Sequence, residues 1–131
     1  MTTGGEDEAR AFYGAVLGLR EVAKPVALAS RGGCWFSGPG VAIHLGSEPS
    51  FRPLAKAYPA LLVRDLAAAH DALAAADVTV EEDDNGLPVR RCYVRDPFGN
   101  RIELVDSRDG GFSERQLWPP AYAALRTDCV V

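Results

Sequence analysis

His44 and Glu103 are the side chains whose types and spacing together suggest chemistry. The segment Cys34-Trp-Phe-Ser-Gly-Pro-Gly-Val-Ala-Ile-His44-Leu45 lies without a gap over Tyr93-Val-Arg-Asp-Pro-Phe-Gly-Asn-Arg-Ile-Glu103-Leu104, an offset of 59 residues (103 minus 44). An imidazole and a carboxylate thus occupy equivalent points on the final strands of two halves, and both are metal-capable donors facing a pseudo-twofold site. A catalytic divalent site needs about three protein donors plus an open position, so these two alone would hold a metal weakly, and the balance falls against metal binding. Tyr58 could add a phenolate, but a phenol with a pKa of about 10 must first lose its proton, which favours a packing or hydrogen-bonding role.

Each candidate has a structural alternative. His44 could be a half-buried strand histidine with local partners. Glu103 could pair with Arg101, which alternation puts on the same face. Trp35 is the best aromatic for lining a cavity, while Tyr13, Phe36, Tyr93 and Phe98 suit either a cavity or the core. Arg90, Arg91 and Arg95 could clamp an anionic ligand or simply solvate a strand, and Arg91 is the one to follow if it turns inward. His70, at the apolar edge of a helix, reads as structural or surface. Nucleophile-elbow, Walker and HExxH patterns are missing from the sequence, which leaves nucleophilic hydrolysis, nucleotide binding and common zinc proteolysis without support.

The elements that must position these residues come in two runs. Ala9, Phe12, Tyr13, Val16 and Leu17 recur at helical spacing, with Glu6, Asp7 and Glu8 at the positive end and Gly18 at the close. Strands follow over Leu19–Ala23, Cys34–Phe36 and Val41–Leu45, with Pro25–Gly33 a strand or loop and Ser37–Gly40 a turn. After a proline-bearing linker come a strand Ala60–Val63, Asp65 as N-cap, an alanine-rich helix Leu66–Ala76, and strands Val78–Glu82, Val89–Arg95 and Arg101–Val105. The last two strands flank the turn Asp96-Pro-Phe-Gly-Asn100. The expected fold is α+β: paired βαβββ modules with curled mixed sheets enclosing a cavity, about 1–47 and 58–106, in one domain with a C-terminal extension over 107–131. Positions 1–4, Met-Thr-Thr-Gly, are a poor strand, so the first strand of module one is missing or comes from outside.

Composition narrows the partners. The 131 residues are 47% hydrophobic and 24% charged with a net charge of −4, an ordinary globular balance that opposes a phosphate-tracking surface, so nucleic acid is not expected. The acidic N-terminus lacks a signal-peptide core and no apolar run approaches the roughly 18 residues of a span, so a cytoplasmic protein without membrane contact is expected. Cys34, Cys92 and Cys129 fit neither a disulfide framework nor a CxxC motif, and the first two read as small buried apolar residues. In the extension, Asp109-Gly-Gly111 reads as a hinge, and Phe112, Leu117, Trp118, Pro119, Pro120, Tyr122 and Leu125 should dock on the domain, over the cavity or across a dimer.

Three motifs, Ala9-Arg-Ala-Phe-Tyr13 with Leu17-Gly-Leu19, Val63-Arg-Asp-Leu66, and Asp96-Pro-Phe-Gly-Asn-Arg-Ile-Glu-Leu104, cover roughly Gly5 to Asp106. Here the chain resembles the vicinal oxygen chelate superfamily, which includes glyoxalase I, extradiol dioxygenases, fosfomycin-resistance transferases and bleomycin-resistance proteins. The resemblance implies a cavity between modules, commonly completed by a homodimer, with exchanged elements as one arrangement. In catalytic members it implies one divalent metal (Zn, Ni, Mn or Fe). Glu103 matches the carboxylate ligand and His44 its symmetric position, whereas Tyr58 stands where a ligand His is common. The expected function is small-molecule binding with an incomplete metal site, Trp35, His44, Tyr58 and Arg91 contacting the ligand. The rival is a metal-dependent lyase, isomerase or dioxygenase with Glu103 catalytic; a structural remnant is a third reading.

Overall fold

The computed structural model describes residues 1–54, 56–86 and 89–109; the expectations for Cys129 and for the hinge and apolar segment after Asp109 lie outside them. A helix opens the chain as one α turn, α1 (Glu6–Ala9), and continues as a π-helix over Arg10–Val16. The spacing of apolar residues predicts a plain α-helix here. Instead Leu17 N–H reaches back five residues to the Phe12 carbonyl at 2.9 Å, the wider spacing of a π turn. Ala9, Phe12 and Tyr13 are nonetheless buried on the expected face.

β1 (Arg20–Val22), β2 (Cys34–Gly38) and β3 (Val41–Leu45) form an antiparallel sheet in that order. Pro25–Gly33, read as strand or loop, holds a 3₁₀ helix over Val26–Arg31. Its exit requires glycine: Gly33 has φ of 77°, and a Cβ there would meet the Leu45 carbonyl oxygen at 2.0 Å. No strand precedes α1 among the described residues. Instead the Met1 amino group donates to the Gly46 carbonyl at 2.9 Å and the Met1 carbonyl accepts from Glu48 N–H at 3.0 Å.

The second sheet has the order β4 (Ala60–Val63), β7 (Arg101–Asp106), β6 (Arg91–Arg95), β5 (Val80–Glu82), with β4 parallel to β7 and the remaining pairs antiparallel. α2 (Leu66–Ala75) follows β4, and Asp65 caps it by accepting from Ala68 N–H at 3.1 Å. Period-2 alternation then sorts the strands. Cys92, Val94, Ile102 and Leu104 pack in one core with Leu66 and Leu73 of α2 and with Phe12, Tyr13 and Phe36 of the first half. Arg91, Tyr93, Arg95, Arg101 and Glu103 therefore share the face turned away from that core. Cys34 and Cys92 are buried free thiols, both pushed up by burial, Cys92 to about 11.

Asp106 at the end of β7 is shielded from solvent and accepts from Arg90 at 2.7 Å and from Arg108 backbone and side chain at 2.9–3.2 Å; Arg108 also reaches Asp65 at 3.1 Å. Hydrogen bonds from Arg108, with the charges of Arg108 and Arg90, lower its carboxyl to about 2. A depressed carboxylate stabilises the fold above its unfolded pKa of about 3.9, and that contribution fades as pH falls toward 2. Asp106→Asn is therefore expected to be less stable than the parent at pH 5–7, with the gap in melting temperature closing between pH 4 and 2; a pH-independent gap would refute this.

Candidate functional site

Glu103 stands on the core-averted face of β7, directly opposite Tyr93 of β6. It is 7% exposed. Arg91, diagonal to it on β6, donates from Nη1 to Glu103 Oε1 at 3.0 Å, and the same guanidinium donates from Nε to Asp83 in the loop after β5. Arg91 thus bridges two shielded carboxylates. Its hydrogen bond to Asp83 holds that carboxyl below its ordinary range, and Asp83 in turn raises Arg91.

The cation that meets Glu103 is Arg91, where the sequence offered Arg101. Arg101 lies with its guanidinium 3.8 Å from the Tyr93 ring centroid and 5.1 Å from that of Tyr58. Its nearest carboxylate, Glu81, is 3.6 Å away, and its buried Nε–H has no hydrogen-bond partner among the described residues. An unmet buried donor of this kind costs about 1–3 kcal/mol. Tyr58 packs edge-on against Tyr93 with centroids 5.7 Å apart. The Tyr93 hydroxyl is raised, first by burial and then by the Glu103 charge.

On the other sheet, Trp35 and His44 are cross-strand partners and their rings stack at 3.7 Å with 4° between planes. His44 is exposed, so the half-buried alternative gives way to a stacked surface residue. No hydrogen bond, ion pair or ring contact joins His44 to Glu103 among the described residues. His70 Nδ1 lies 3.5 Å from Glu82 and its Nε2 is buried without a partner. A cavity of about 340 Å³ is lined by Leu66, His70, Glu82, Asp83 and Arg91, and one of about 380 Å³ by Phe12, Val78, Glu81, Arg95 and Asp96. Neither is lined by His44 or Glu103.

A divalent ion needs about three converging protein donors. No group of three or more His, Cys, Asp or Glu side chains among the described residues is placed to hold one. Glu103 is engaged by a guanidinium, His44 is stacked on another sheet, and Tyr58 lies beside a cation that repels a second positive charge. The sequence reading missed Asp83, whose segment Asp83-Asp-Asn-Gly86 signals only a loop, and the place of Arg101 over Tyr93. An acidic loop facing an arginine-bearing strand is the available signal for Asp83.

The family model of the Glyoxalase/Bleomycin resistance protein/Dioxygenase superfamily matches residues 1–104. The chain belongs to that superfamily. A solved glyoxalase family protein from Bacillus anthracis is 42% identical, covering 81% of this chain and 87% of its own, with a TM-score of 0.77. A glyoxalase/dioxygenase from Nostoc punctiforme is 22% identical over 81% and 86% of the two chains at 0.66. A fosfomycin resistance protein from Listeria monocytogenes is 13% identical over 89% and 90% at 0.70. These last two share the superfamily fold. No curated protein matches the chain. The expected α+β fold is therefore that of glyoxalase-type modules, here with one antiparallel and one mixed sheet, neither closed into a barrel, and no helix among the described residues is long and apolar enough to cross a membrane.

Proposed function

We propose that this superfamily member binds a small organic molecule without a divalent metal, as a cytoplasmic homodimer. The observation that carries the reading is the 3.0 Å pair between Arg91 and Glu103. A metal-binding carboxylate directs its lone pairs to the ion; here one oxygen already accepts a charge-assisted hydrogen bond, and the guanidinium supplies the positive charge. Tyr58 and Tyr93 offer apolar area with polar tips, and the exposed Leu62 of β4 extends it. Glu103 and Arg91 would orient the polar end of the ligand, and the Trp35–His44 stack offers a second flat surface. Free buried Cys34 and Cys92 suit a reducing compartment. The edge of β3 away from β2 pairs with no strand among the described residues, an arrangement that favours contact with a second copy.

Titration with Zn²⁺, Ni²⁺, Mn²⁺ and anaerobic Fe²⁺ is expected to give no saturable binding. Tyr58→Ala is expected to weaken an aromatic probe such as 2-naphthamide about five- to tenfold, the scale of one aromatic contact. Near-stoichiometric metal that disappears in both His44→Ala and Glu103→Ala would overturn the reading and favour a metal-dependent lyase, isomerase or dioxygenase.

A further inference from the structure

Arg101 is the cation of this face whose hydrogen bonding is least complete. Arg91 is committed to Asp83 and Glu103, and Arg95 donates to the Gly99 carbonyl at 3.2 Å. Arg101 instead rests on the Tyr93 ring, its side chain 22% exposed. Glu81 is too far from it for a hydrogen bond, is 46% exposed, and is shared with Arg95 at 3.4 Å. An exposed, shared carboxylate is a weak competitor for a guanidinium. The Nε–H is buried without an acceptor. Nε and the neighbouring Nη form the side-on edge of the guanidinium fork, the edge that matches the two oxygens of a carboxylate.

We propose that Arg101 selects the ligand, and that the ligand is a planar apolar or aromatic molecule carrying a carboxylate. A small rotation off Tyr93 brings the Nε and Nη edge to that carboxylate, while the ligand body lies along Tyr58 and Tyr93. Glu81 then yields its long contact at little cost, because water solvates it. The inference rests on the reading of this face as a binding surface and adds the charge of what it binds.

The test uses two probes of one shape on the full chain: 2-naphthoate and its neutral amide, 2-naphthamide, titrated calorimetrically. The parent is expected to prefer the carboxylate by about tenfold or more, the scale of a charge-assisted hydrogen bond. Arg101→Met should erase that preference, so that carboxylate and amide bind alike whatever the change in the affinity they share, and Arg101→Lys should restore only part of it, since an ammonium lacks the fork. Circular dichroism and melting temperature verify that the variants fold. Equal affinity of the parent for both probes, or a preference that survives in Arg101→Met, overturns the inference and leaves the metal-free binding reading standing. Failure of the parent to bind either probe removes both.

Discussion

Arg91→Met is expected to lower the stability of the fold by about 2–3 kcal/mol, because it leaves Glu103 shielded and without a cation. Breaking a fully buried pair costs about 3–5 kcal/mol, and the lower figure applies because the Arg91 side chain keeps 14% exposure. The methionine preserves most of the stem packing, so the loss reports charge and hydrogen bonding more than volume. Adding Glu103→Gln removes the stranded charge, and the double variant should regain part of the loss. Urea unfolding of the parent, both single variants and the double variant gives the coupling energy directly. Strict additivity would mean that the pair is incidental, and with it would fall the argument that a guanidinium takes the cation's place beside Glu103.

Asp96→Ala should be costlier still, about 3–4 kcal/mol, since one side chain satisfies four donors that alanine would leave unmet. Asp96 accepts from Tyr13 Oη at 2.7 Å, from the backbone N–H of Phe98 and Asn100 at 2.9 and 2.8 Å, and from Asn100 Nδ2 at 2.7 Å. Tyr13 is itself buried, and burial next to the Asp96 charge drives its hydroxyl strongly upward. The aspartate therefore shapes the turn that launches β7 and also fastens that turn to the first helix, 83 residues away. Tyr13→Phe removes only the second of these roles and should cost about 1 kcal/mol. If Asp96→Ala came within about 1 kcal/mol of the parent in urea unfolding, the turn would be held by its backbone alone. Because β7 carries both Arg101 and Glu103, the same substitution should weaken ligand binding before the protein unfolds.

Much of this arrangement is written locally. Val41–Leu45 and Ala60–Val63 coincide with observed strands, and the second helix ends one residue before its expected close, because alternation, alanine content and an Asp cap act over a few residues. The offset of 59 put His44 and Glu103 at equivalent strand positions, and both occupy the final strand of their own sheet. The open side of β3 was legible too, since Met-Thr-Thr-Gly is poor strand material. Pro25–Gly33 was not resolved, as a 3₁₀ segment leaves no strong period, and the π-helix was hidden because the same apolar residues satisfy an α pattern.

The sequence by itself determined the family, the order of the main helices and strands and which residues of a strand share a face, because period-2 alternation and turn chemistry depend on near neighbours. Only the tertiary structure decided which cation meets Glu103. Alternation puts Arg91, Arg95 and Arg101 on one face alike; cross-strand register and the placement of Asp83 draw Arg91 onto the carboxylate, while Tyr93 takes Arg101. Pairing among like residues is a matter of distances across the sheet, and those are set by the packing of strands far apart in the chain.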